Sequence, residues 1–150
     1  MSQSTGFSSS TPRHQLPFLY SGQAQREFFV NEALSRIDML LNPVVEQVLS
    51  TPPETPVSGS CYIVGEQPTD DWIGHTDSLA GWIDSQWTFA SPTAGLVVHE
   101  RSSASSLVYR DGWQRLEAPT IPADGDFIDV QARTAIEDLI ALLRQYGLFA

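Results

Sequence analysis

The 150-residue chain has no lysine and a single cysteine, and each scarcity removes a class of function. Its eight basic residues are all arginine and face eighteen acidic ones, for a formal charge of −10. That balance repels a phosphate backbone unless positive charge is clustered, and these arginines are scattered along the chain, so no nucleic-acid partner is expected. Cys61 alone cannot close an internal disulfide or build a cysteine zinc site. His14, His75 and His99 lie far apart without ligand spacing, so no metal is expected. No apolar run approaches the roughly 20 residues that span a bilayer. Residues 1–10 carry neither a basic start nor an apolar core, so neither a secretory leader nor a membrane partner is expected. A nucleophile elbow and a phosphate-binding glycine loop are also missing. The expectation is no catalytic residue, no cofactor and no enzymatic activity.

What the chain does have is aromatic hairpin grammar. All four tryptophans, Trp72, Trp82, Trp87 and Trp113, fall between Tyr62 and Trp113. Leu79–Asp84 with Trp87–Phe89, and Leu107–Arg110 with Trp113–Leu116, each read as two short strands around a polar turn. In the second, Asp111-Gly112 is expected to supply the positive φ of a tight turn. Cys61–Val64 and Leu96–Glu100 read as further strands, Val44–Leu49 is strand-like, and Trp72–Gly74 reads as a brief edge. Several short strands at this spacing predict a small antiparallel β barrel or sandwich.

Helices flank this unit. Val30, Ala33, Leu34, Ile37, Leu40 and Leu41 recur at three and four up to Asn42-Pro43, which predicts a helix whose apolar face packs on the sheet. Asn31 is read as a candidate cap for a second start. Near the end, Ala132, Ile136, Leu139, Leu143 and Tyr146 form a heptad-like seam that stops at Gly147. Packing on the β unit and packing around a trimer axis are equally open for it. The fold expected is therefore α+β, with a β domain between an N-terminal helix and a C-terminal amphipathic helix. Three regions follow: an arm over 1–15, flexible by composition, a helix plus β domain over 16–117, and a linker with an oligomerisation helix over 118–150.

Leu16-Pro17, Gly22-Gln23-Ala24-Gln25-Arg26, Asn31-Glu32-Ala33-Leu34 with Ile37-Asp38, Pro52-Pro53, Gly59, Tyr62-Ile63-Val64, Trp72, Ala80-Gly81-Trp82, Trp87, Phe89, Pro92, Gly95 and Asp111-Gly112-Trp113 follow one another in order. This series resembles an uncharacterised domain family found in proteins of alphaproteobacterial phages, prophages and gene transfer agents, commonly beside fibre or spike modules. The resemblance covers about residues 16–116. Arg26 stands where lysine is common, and Ser85-Gln86 replaces the usual Asp-Gly turn. The resemblance implies a non-enzymatic virion component, assembled in the bacterial cytoplasm, that forms or anchors a fibre or spike and aids host attachment. Its expected partners are itself, as a homotrimer, and other virion proteins.

On that reading Leu16, Phe18 and Tyr20 form an apolar anchor for attachment to the particle. Ala132, Ile136, Leu139, Leu143 and Tyr146 carry oligomerisation. A second reading is a carbohydrate-binding module for host capsule or lipopolysaccharide. Trp72, Trp82 and Trp87 would stack on sugar rings there, with Asp84 bonding hydroxyls, although tryptophans in a small domain more often form its core. A third is a small cell-wall or capsule hydrolase using a carboxylate pair among Asp70, Asp71, Asp84 and Glu100. Asp124-Gly125-Asp126 with Asp129 lacks the full calcium-loop pattern and reads as a linker turn.

Overall fold

A computed structural model describes residues 9–22, 26–120 and 129–149, and the chain forms two compact units, Met1–Pro92 and Thr93–Ala150. In the first, helix α1 (Arg26–Leu40) precedes two short strands, β1 (Val44–Val45) and β2 (Val48–Leu49). β3 (Cys61–Val64), a 3-10 turn (Asp70–Trp72), β4 (Leu79–Ile83) and β5 (Gln86–Ala90) complete it. These strands form an open sheet in the order β2-β3-β4-β5. β2 runs parallel to β3, and the remaining pairs are antiparallel. The second unit contains β6 (Val97–Glu100), β7 (Ser105–Tyr109) and β8 (Trp113–Arg115), paired antiparallel in that order, and helix α2 (Val130–Gln145).

The α+β class expected from sequence is correct, but the barrel is not: among the described residues the strands close no barrel, and the β2–β3 pair makes the first sheet mixed. The segment read as one strand over 44–49 is interrupted at Glu46-Gln47, where the Glu46 amide donates to the Cys61 carbonyl at 2.8 Å.

The first sheet is covered on both faces. On one, Tyr62, Val64, Ala80 and Trp72 form a buried cluster against which Leu49, Trp87 and Phe89 pack. The other carries α1 over β4 and β5. Gly81 permits that approach, because a Cβ there would sit 2.7 Å from the Met39 sulfur. The seating of α1 reverses the expectation. Its buried residues are Ser35, Asp38 and Met39, with Asn31 and Leu34 half-buried, whereas Val30, Ala33, Ile37, Leu40 and Leu41 are exposed.

Partners from the preceding arm explain this inversion. The Asp38 carboxylate, 0% exposed, accepts bonds from the Thr11 hydroxyl at 2.7 Å, the His14 amide at 2.7 Å and the Arg13 amide at 3.1 Å. The His14 ring nitrogen Nδ1 lies 3.1 Å away. The Arg13 guanidinium donates to the Met39 and Asn42 carbonyls, where the helix leaves its last acceptors open. Asn31 is not a cap: its amide grips the backbone of Leu19 in both directions, at 2.8 and 3.1 Å. Ser10 bridges to Pro17, so residues 9–18 fold back on themselves rather than trailing as a flexible arm. Residues 1–8 lie outside the described residues.

The turns also depart from expectation. Asp111-Gly112 stays out of the left-handed region, while Asp84 (φ 52°) and Ser85 (φ 60°) both occupy it between β4 and β5. Two successive positive φ angles make a type I′ turn built without glycine.

Ser85→Gly removes a left-handed side chain and is expected to stabilise the fold by about 1 kcal/mol in urea unfolding, unchanged stability being the contrary result. Burial pushes the Asp38 carboxyl up, but the bonds from Thr11, His14 and Arg13 outweigh it and hold the carboxyl below its ordinary 3.8. A depressed folded value stabilises fully above that pH and is lost as pH falls through the folded value, so acid titration should show a stability loss below about pH 3.8. Asp38→Ala, which strands three donors, should cost roughly 3–5 kcal/mol and remove that acid-dependent component.

Candidate functional site

The aromatic hairpin β4–β5 carries Trp82, Asp84 and Trp87 of the glycan-binding candidates. Trp82 and Trp87 are cross-strand partners with ring centroids 4.9 Å apart in an edge-on arrangement. Trp87 continues the contact to Trp72 at 5.1 Å and to Tyr62 at 6.1 Å. Trp72 is 0% exposed, because the 3-10 turn folds it over the sheet instead of leaving it on an edge. It therefore cannot offer a ring face to a sugar and is removed from the glycan candidates. Its indole Nε1 is buried without a hydrogen-bond partner and lies among aromatic rings. Trp82 and Trp87 are half-buried, and Asp84, Ser85 and Gln86 at the hairpin tip are exposed. His75 stacks flat on Phe89, centroids 3.7 Å apart, which places that histidine in packing.

On the opposite side of this sheet lies a cleft of about 550 Å³ between the folded-back arm, the start of α1 and the β4–β5 tip. Phe18, Phe28, Asn31, Glu32, Asp84 and Gln86 are among its lining residues. Of the three residues read as a particle anchor, Leu16 and Phe18 are half-buried and Tyr20 is exposed.

In the second unit the chemistry of α2 is distributed by face. Asp129 caps the helix, its carboxylate accepting from the Ala132 amide at 2.9 Å, as a short acidic side chain before a first turn does. Asp129 thus has a structural task, and Asp124, Gly125 and Asp126 lie outside the described residues. At the other end Gly147 adopts φ 69°, and the Leu148 amide reaches back to the Leu143 carbonyl at 3.1 Å, the wrapped end that glycine permits. The Gly147 carbonyl accepts from the Ser106 hydroxyl at 2.7 Å. A side chain at Gly147 would meet the His99 ring at 3.0 Å. Ile140 is the buried residue of α2. The predicted seam remains accessible: Ala132, Ile136, Leu139 (53%) and Tyr146 (75%) are exposed, together with Leu142, and Leu143 is half-buried.

Charged groups in this unit are used structurally. Glu100, one of the four proposed carboxylates, is buried in an ion pair with Arg115, whose guanidinium also bonds the Ser103 and Ser105 hydroxyls. Asp70, Asp71 and Asp84 are exposed. Burial pushes the Cys61 thiol up to about 12, so it carries no reactive thiolate near neutrality. Among the described residues no group of three or more His, Cys, Asp or Glu side chains is placed to hold a metal, and no helix is long and apolar enough to cross a membrane. Sequence reasoning located the α2 seam but missed the buried knot at Asp38, whose only sequence trace is a charged residue at a position facing the sheet.

Fold and surface together define an α+β module with accessible apolar helix faces. The chain belongs to DUF2793, a family described as a protein of unknown function, whose model matches residues 30–114. That span begins within α1 and ends within β8, so it contains both aromatic hairpins and leaves α2 outside. No curated protein matches the chain.

Burial differs among the tryptophans of the first sheet, Trp72 being enclosed and Trp82 and Trp87 half-buried. Trp72→Ala should cost about 3–5 kcal/mol in denaturant unfolding, since a fully buried ring system is lost. An effect below 0.5 kcal/mol would contradict its core placement.

Proposed function

We propose that the protein is a non-enzymatic structural component of a phage-like particle, of phage or gene-transfer-agent type, forming or anchoring a fibre or spike. The observation that carries this reading is the accessible apolar seam of α2, Ala132, Ile136, Leu139, Leu142, Leu143 and Tyr146. A helix that docks by Ile140 and its C-terminal turn while presenting such a seam is suited to packing with copies of itself. Three copies around an axis would bury the seam, and closed symmetry is the usual form of homo-oligomers. The resemblance of the ordered motif series to particle-associated proteins is what supports this setting for the assembly. The module would be made in the bacterial cytoplasm and incorporated there, with Leu16, Phe18 and Tyr20 joining other virion proteins and the seam joining its own copies.

A second reading is recognition of host surface polysaccharide. Its support is the half-buried Trp82–Trp87 pair beside the exposed Asp84 at one hairpin tip. An aromatic ring face flanked by a hydrogen-bonding side chain fits the C–H face and hydroxyls of a pyranose. Trp82→Ala would abolish capsule or lipopolysaccharide binding without unfolding the chain on this reading. Unchanged binding would remove it.

Light scattering of the purified chain tests the first reading. The expected mass is a multiple of three of the 16.5 kDa chain. Leu139→Glu should remove the threefold step, weakening association by on the order of 100-fold, since each copy loses a buried leucine and gains a charge in the seam. A mass insensitive to Leu139→Glu would overturn trimer assembly through α2.

A further inference from the structure

The outward ridge of α1 has no counterpart in the function proposed for α2. Phe29, Val30, Ala33, Ile37, Leu40 and Leu41 fall within about 120° of the helix circumference at 3.6 residues per turn, and all are exposed. Phe29 is 76% exposed and Ile37 48%. A surface helix ordinarily turns such a stripe inward, and here the inner side is held instead by Asp38 and Asn31.

We infer that α1 pairs with α1 of a second copy, antiparallel about a two-fold axis through Ala33. The ridge is self-complementary about that residue, as an isologous contact requires. Four positions before Ala33 stands Phe29 and four after it Ile37, so each phenyl ring meets the other copy's isoleucine. Seven before stands Arg26 and seven after Leu40, at the end of the helix. Antiparallel pairing thus brings each guanidinium to the partial negative charge at the other helix's C-terminus. Alanine at the crossing admits the closest approach, about 8 Å between axes.

Charge favours a second copy as the occupant. The chain carries a net −10, yet the ridge has no acidic residue, and its one charge is Arg26; the flanking Arg36 is held by Glu32 at 2.7 Å. Two acidic molecules can meet here without opposing carboxylates. The area is sufficient. Taking an aromatic side chain as about 200 Å² and the aliphatic ones in proportion, the ridge exposes roughly 500 Å² per copy, so a pair buries about 1,000 Å², near the threshold for a specific contact. This pairing does not rest on the α2 reading.

Ala33→Cys tests the axis directly. Helices about 8–10 Å apart, each with Cα atoms about 2.3 Å from its axis, leave the two Cα atoms within disulfide reach at the crossing. Mild oxidation should give a reducible two-chain product, while the buried Cys61 of the unmodified protein gives none. Ile37→Asp, at an exposed site, should leave the circular dichroism spectrum unchanged and halve the assembly mass. With both surfaces engaged the parent is six chains, Ile37→Asp three and Leu139→Glu two. Absence of the Ala33→Cys product, or an unchanged mass for Ile37→Asp, overturns the pairing. A two-chain parent that responds to Ile37→Asp and not to Leu139→Glu sustains the pairing and removes the α2 trimer alone.

Discussion

Burial of the Asp38 carboxylate is the constraint on which the first unit is built. An ionised carboxylate removed from water is tolerated only when its lone pairs are met, and here a hydroxyl, two backbone amides and a ring nitrogen meet them. All four partners come from residues 11–14, so the charge acts as a socket for the segment ahead of the helix. Arg13 completes the connection by satisfying carbonyls at the end of the same helix. Because these polar contacts face inward, the hydrophobic side of α1 must face out. One buried charge therefore fixes the arm, the rotation of the helix and the character of the outer surface.

Much of the β structure was legible in the residues. The pairing of Trp82 with Trp87 and of Tyr109 with Trp113 follows from aromatics placed on either side of short polar turns, a local signal. Helix α1 was legible in its period and in its stop at Asn42-Pro43, where Asn42 takes φ 61°. Its orientation was not. Periodicity reports which residues share a face and not where that face points, and the deciding partners of Asp38 lie 24–27 positions away. The same limit hid the parallel β2–β3 pair, since a two-residue strand carries no alternation to read. At Trp72 the signal was mistaken: Asp70 takes φ 51° and opens a 3-10 turn in what looked like an edge strand. The α2 seam could be read, its accessibility could not, because a stripe of that width suits an intramolecular and an intermolecular partner equally.

The two helices share a logic while using different means. Each puts a narrow, specific attachment toward its own unit, Asp38 and Met39 in one and Ile140 with Gly147 in the other, and reserves broad apolar area for elsewhere. A sheet with its aromatic cluster on one face and a polar-bonded helix on the other needs little hydrophobic area from α1 itself. Internal stability is thereby drawn from the sheet and a small number of well-satisfied polar contacts. External affinity is then left to side chains whose replacement does not disturb the fold.

The way α2 is fastened has a consequence for its order along its length. Glycine wrapping, the Ser106 bond and Ile140 secure its C-terminal half, and at the other end the Asp129 carboxylate caps the Ala132 amide. Sixteen residues are near the margin at which a helix persists in water without tertiary support. In its first turns Ala132, Thr134, Ala135 and Ile136 are exposed, so that end draws more on helix propensity than the end holding Ile140 does. The strength of a contact on the seam is therefore adjustable by helix propensity at positions the contact never touches.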